Sequence, residues 1–264
     1  MIKDIDGLLK HVYTSIQEQM DVAIIGLSGG ADSTLVALLC KKALGKDNVY
    51  GVHLPYNKLD LDTFNARSKQ LVEKIEIKDK LIQVGTAVEE LSEEFEGLYL
   101  SDLNKGNLRS RMRMIALYTF ARQISDSLRG EKRVRVLGTG NLSEDFIGYD
   151  TKGGDALADY FPIGELVKSE VYQLLEFFRD EGEITEEMID RVPSAGLWDG
   201  QTDEAELGYS YNEMEPYVLI GFNEGAGALT PWKDPIANFV AERHFANKHK
   251  HKAPEVIALR KFCE

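Results

Sequence analysis

A chain of 264 residues, 43% of them hydrophobic and 28% charged, is long enough to bury a substantial core. Its net charge of −13 argues against general nucleic-acid binding, because a phosphate backbone would be repelled. No run approaches the roughly 20 apolar residues of a membrane span, and two cysteines, Cys40 and Cys263, make no disulfide framework, so a reducing, cytoplasmic compartment is expected.

The N-terminus carries Ile5, Leu8, Val12 and Ile16 at helical spacing, which predicts an amphipathic helix rather than a signal peptide. Next, an apolar run, Val22–Gly26, opens into Gly26-Leu27-Ser28-Gly29-Gly30, and a helical pattern follows over 33–44. Further strands are predicted at 49–54, 81–84 and 134–137, separated by helical patterns over 62–75, 86–95 and 107–125. Two more helices are expected at 165–178 and 235–245, joined by irregular stretches. This order predicts an α/β fold: a doubly wound, mostly parallel sheet with helices on both faces. Ligands bind such sheets beyond the carboxyl ends of the strands. Two glycine-bearing turns follow strands, Gly26–Ser33 and Gly138-Thr139-Gly140-Asn141, so both fall on that edge. With no repeat, linker or low-complexity tract, residues 1–264 read as a single domain.

Strand, glycine turn and helix N-terminus together form a phosphate cradle, since backbone N–H groups and the helix dipole both favour an anion. A Walker A loop would add a lysine, whereas this one presents Asp32. A carboxylate 4 Å from a phosphate charge costs about 4 kcal/mol at an effective dielectric of 20. Bound Mg²⁺ reverses that sign by taking oxygen ligands from both groups. Asp32 therefore reads as a metal ligand, with simple capping of the helix as the alternative.

"SGGADS" (28–33) resembles the SGGxDS signature of ATP pyrophosphatases, which cleave ATP between its α and β phosphates and adenylate a substrate. "NLRSRMRM" (107–114), "GTGNLSEDFIGYDTKGGD" (138–155), "FPIGELVKSEV" (161–171), "PSAGLWDGQTDEAELGYSY" (193–211) and "HKHKAP" (249–254) resemble successive blocks of ammonia-dependent NAD synthetases. The resemblance runs along nearly the whole chain and implies a Rossmann-like fold of the adenine nucleotide α hydrolase kind. It implies ATP-dependent amidation of deamido-NAD by ammonia through an adenylate, with AMP and pyrophosphate released. Another SGGxDS ligase and a non-catalytic nucleotide-binding module are the alternatives.

By the same resemblance, Gly26, Leu27, Ser28, Gly29, Gly30, Ala31, Asp32 and Ser33 would bind ATP, together with Thr139, Lys168 and Ser194. Asp32 and Glu144 would hold Mg²⁺, and with Lys168 they would carry catalysis. Arg111, Lys152, Asp159, His249 and Lys250 would hold deamido-NAD, in a homodimer with the dinucleotide near the subunit interface. Plainer alternatives stand beside these: a solvated helix face for Arg111, a helix cap for Glu144 and a surface position for Lys168.

Two departures stand out. The family usually reads G-Y-F-T-K-Y-G-D, and this chain has Asp150 and Gly153 in place of the second and third aromatic rings. It also has Ala156-Leu157-Ala158-Asp159 where G-G-x-D is common. No block leaves room for a glutaminase nucleophile and its domain, so ammonia is the expected nitrogen source. Segments 150–158 and 221–228 are expected to be poorly anchored lids because they are glycine-rich. The tail "NKHKHK" (247–252) concentrates cations in an acidic chain, and no carboxylate lies at zinc-like spacing beside its histidines.

Overall fold

The computed structural model describes residues 1–95, 101–189, 202–230, 233–254 and 256–259, without the side chains of 58–66. The chain runs α1 (Ile5–Gln19), β1 (Val22–Gly26), α2 (Ala31–Leu44), β2 (Val49–His53), α3 (Lys58–Ile75), β3 (Lys78–Leu81) and α4 (Gly85–Glu93). It continues through α5 (Asp102–Ser127), β4 (Val134–Leu137), α6 (Leu142–Ile147), α7 (Lys168–Asp180), α8 (Asp203–Leu207), α9 (Tyr211–Glu224) and α10 (Pro235–Asn247).

Side chains alternate along a strand, and β1 uses that alternation to serve two cores. Ala23 and Ile25 join a cluster with Leu35, Leu39, Leu71, Val171 and Leu174, from α2, α3 and α7. Val22 and Ile24 face the other way, onto Met114, Leu117 and Phe120 of α5. Helices therefore cover both faces of the sheet, as the unbroken apolar run of β1 requires. A third cluster joins α6, α9 and α10 through Phe146, Met214, Val218 and Val240.

The strand order is β3-β2-β1-β4, with every pairing parallel. β2 and β3 are added on one side of β1 and β4 on the other, so the winding order reverses at β1, and Ile25 pairs with Leu137 at the carboxyl ends of β1 and β4. The loops after these two strands therefore leave side by side at the topological switch point.

Two expectations are corrected. The third strand is Lys78–Leu81 rather than 81–84, because every residue of this edge strand is exposed and no apolar run marks it. Pairing with β2 from Tyr50↔Lys78 to His53↔Leu81 holds it instead. The stretch expected to be irregular before α10 contains α9, whose internal Pro216 reads as a helix breaker. The two glycine-rich segments carry a few packed contacts. Gly221 lies in α9, where an added Cβ would meet the Phe146 ring at 2.5 Å, and Ala226 and Leu229 are buried. In the other segment, Thr151 is buried and Gly154 packs on Ser110, whose hydroxyl donates to Asp155 Oδ1 at 2.7 Å.

Candidate active site

The loop after β1 turns at Gly29, whose φ of +71° suits glycine. Gly30 is the N-cap of α2 and supplies no side-chain acceptor to its first turn. Ser28 Oγ lies 3.2 Å from Ser33 Oγ and accepts from Gly30 N at 3.2 Å, which closes the loop on itself. Gly30, Ala31, Asp32 and Ser33 line a cavity of about 440 Å³, so the positive end of α2 borders it.

Asp32 lies in the first turn of α2, yet its carboxylate does not cap that helix. Oδ1 accepts from Asn141 Nδ2 at 2.9 Å and Oδ2 from Lys168 Nζ at 2.6 Å. The contact to Asn141 spans 109 residues of sequence and joins the two strand-end loops. Glu144 is no cap either, because Asn141 Oδ1 takes that place by accepting from Glu144 N at 3.1 Å. Its Oε1 accepts from Lys168 Nζ at 2.9 Å and lies 3.5 Å from the Tyr211 hydroxyl oxygen. Lys168 is buried, not a surface residue, and one ammonium bridges both carboxylates.

The balance is one cation against two anions. Burial, with Asp32 and Asp203 nearby, pushes the Glu144 carboxyl up to about 8 despite Lys168. Burial works against the Lys168 ammonium, but Asp32 and Glu144 override it and raise its pKa. Tyr211 donates to Asp203 Oδ2 at 2.9 Å, and both residues are buried. Asn141, Asp203 and Tyr211 carried no assigned role in the sequence. Asn141 was findable as the last polar residue before a helix, but Tyr211 and Asp203 become neighbours of Glu144 only through the placement of α8 and α9.

Thr139 lines the cavity, as do the apolar side chains of Leu54, Met114 and Leu117. Ser194 lies outside the described residues. Of the dinucleotide set, Lys250 lines the cavity, whereas Arg111, Lys152, Asp159 and His249 do not. Arg111 Nε donates to Lys152 O at 3.1 Å, joining α5 to the loop after α6. Asp159 Oδ2 accepts from Val136 N at 2.8 Å and Oδ1 from the Tyr118 hydroxyl at 3.3 Å, so both oxygens have protein partners. His249 is exposed.

The tail cations are only partly free. Lys250 Nζ donates to Gly148 O and Asp150 O, each at 2.7 Å, and lies 3.4 Å from Asp150 Oδ1. His251 Nε2 pairs with Asp150 Oδ2, and that hydrogen bond raises the pKa of the imidazole. Asp150, which replaces an aromatic ring of the family pattern, is thus a buried anchor for the tail. The fold also brings the carboxylates of Asp145 and Asp150 to His251, a proximity absent from the spacing, with ligand atoms within 4.8 Å.

The NAD synthase family model matches residues 2–254. The chain is 39% identical over 246 residues to the NH(3)-dependent NAD(+) synthetase of Methanosarcina acetivorans, covering 91% of each. Identity to the enzyme of the same name from Pyrococcus horikoshii is 40% over 255 residues, or 95% of this chain and 93% of that one. Among solved structures, the NH3-dependent NAD synthetase of Campylobacter jejuni superposes with a TM-score of 0.70 at 27% identity, covering 96% of this chain and 98% of that one. The NMN synthetase of Francisella tularensis superposes with a TM-score of 0.77 at 27% identity, covering 95% and 97%. With the family model covering nearly the whole chain and relatives at 39% and 40% identity, the chain belongs to the NAD synthase family.

Proposed function

We propose that the chain is an ammonia-dependent NAD⁺ synthetase, a ligase that amidates deamido-NAD with ATP as co-substrate. The nicotinate carboxylate attacks the α-phosphorus of ATP, forming an acyl adenylate and releasing pyrophosphate. Ammonia then attacks the acyl carbon, loses a proton and displaces AMP, leaving the amide of NAD⁺. The observation that carries this reading is the meeting of Asp32, Glu144 and Lys168 beside the uncapped start of α2.

Two carboxylates that aim at one cationic point form an oxygen donor set suited to a hard divalent ion. Asp32 and Glu144 would hold Mg²⁺, which when bound neutralises charge on the pyrophosphate leaving group. Residues Gly26 to Ser33 cradle the phosphates with backbone N–H groups and the α2 dipole, and Thr139 and Ser194 complete the ATP site. Lys168 donates from its ammonium to phosphate oxygen, and Leu54, Met114 and Leu117 keep water from the base. No side chain needs to become a covalent nucleophile, so positioning carries the rate.

Arg111, Lys152, Asp159, His249 and Lys250 are our assignment for deamido-NAD. Most of these lie outside the cavity, which supports a dinucleotide site shared with a second copy. On α5, Leu103 at the cavity rim and Ile115 are exposed, at 55% and 57%, with Arg111 between them. A homodimer across this face would bury them. We place residues 1–264 in one domain and the enzyme in the cytoplasm, where Cys40 stays a buried free thiol. Among the described residues, no helix is long and apolar enough to cross a membrane. Asp32→Asn and Glu144→Gln are expected to cut pyrophosphate release at least about a hundredfold with the circular dichroism unchanged. Near-normal release in either variant would refute the carboxylate assignment.

A further inference from the structure

Helix α7 supplies only part of its own cap, with Glu170 Oε2 accepting from Val167 N at 3.2 Å. Its N-cap is Val167, which has no side-chain acceptor, so its first N–H groups need acceptors from other elements. Two elements distant in sequence supply them. Ser143 Oγ on α6 accepts from Lys168 N at 3.0 Å, and Glu215 Oε1 on α9 accepts from Ser169 N at 2.9 Å. Glu215 also accepts from Ser143 Oγ at 3.2 Å and from Ser169 Oγ at 2.6 Å.

Glu215 is 6% exposed and Ser143 1%, so this is a buried carboxylate with its acceptor capacity in use rather than a solvated charge. It sits at the positive end of a 13-residue helix, where a negative charge is favoured. The residues it fastens are telling. Ser169 follows Lys168, and Ser143 precedes Glu144, so one carboxylate holds the backbone N–H beside one partner of the 2.9 Å ion pair and the side-chain hydroxyl beside the other.

Resting on the functional reading above, we propose that Glu215 is a positioning residue that locks α6 to the start of α7 and so sets Lys168 against Glu144 and Asp32. The substrate does not touch it. A bridging ammonium tolerates little displacement, and an error of about 1 Å can cost a hundredfold in rate. A neutral amide at 215 keeps one oxygen for Ser169 N, and the Ser169 hydroxyl can turn to accept from its NH₂. Alanine removes every bond.

The test is a double-variant cycle read by calorimetric binding of Mg²⁺-ATP, with kinetics alongside. Glu215→Ala is expected to weaken Mg²⁺-ATP about tenfold and lower kcat about a hundredfold, while KM for deamido-NAD stays within about threefold. Glu215→Gln is expected to recover most of both losses. In a Lys168→Ala background, Glu215→Ala is expected to add less than about twofold to the Mg²⁺-ATP dissociation constant, because its effect passes through the lysine. If Glu215→Ala fails to fold, Ser143→Ala removes the shared hydroxyl and carries the same cycle. Losses that multiply in the double variant would overturn the proposal, as would wild-type affinity in Glu215→Ala. Wild-type turnover of deamido-NAD, measured first, tests the functional reading separately.

Discussion

Lys168 supplies one positive charge to a site with two carboxylates, and that imbalance has a measurable consequence. Held up at about 8, the Glu144 carboxyl keeps a proton that the unfolded chain, with the ordinary value of 4.5, has already lost. Between those values the folded state binds more protons, so this group makes stability fall as pH rises. A divalent cation needs the ionised form. Affinity for Mg²⁺ is therefore expected to rise from pH 6 to pH 8, and binding at pH 7 to release a proton. Calorimetry in buffers of different ionisation enthalpy checks this, and Glu144→Gln should abolish the release. The residue scale also shows what a sequence can carry. Asp32 stood out because a carboxylate in a glycine-rich loop before a helix invites a cation, and in the structure the Lys168 ammonium meets it. Its partner Lys168 is 136 residues away, and Glu215 sits on a helix hidden by its proline, so neither contact had a local signature.

At the scale of elements, β1, α2 and β4 were readable because apolar burial marks them on both faces. β3 and α9 were not, since one is an exposed edge strand and the other contains Pro216. Packing of α9 on α6 is close at Gly221, where a larger side chain would press into the Phe146 ring. Gly221→Val is expected to destabilise the protein by about 1–3 kcal/mol through overpacking, read as a lower denaturant midpoint. The tail shows how an element's role shifts once its contacts are known. Its lysine was expected to attract the dinucleotide, but Lys250 also clamps the loop at Gly148 and Asp150. Lys250→Ala is thus expected to raise KM for deamido-NAD several-fold more than KM for ATP. It should also speed hydrogen exchange over 148–155 without ligand. Unchanged exchange there would confine Lys250 to substrate contact.

Across the whole molecule, the parallel order β3-β2-β1-β4 makes the site possible by bringing two loops together at the switch between β1 and β4. Within an acidic chain, the positive potential at this site is local, from the N-terminus of α2 and the buried Lys168. The proposed second copy is testable at this scale. Ile115→Asp would place a charge on the exposed face of α5, and light scattering is expected to show a monomer with weakened deamido-NAD binding. A monomeric wild type would remove the shared-site argument. The central claim concerns the reaction itself. Incubation of the purified chain with ATP, Mg²⁺, ammonium and deamido-NAD, followed by mass spectrometry, is expected to yield NAD⁺, AMP and pyrophosphate in equal amounts, with nicotinate mononucleotide amidated far more slowly and glutamine unable to replace ammonium. ADP as the product, efficient use of glutamine, or faster amidation of the mononucleotide would contradict it.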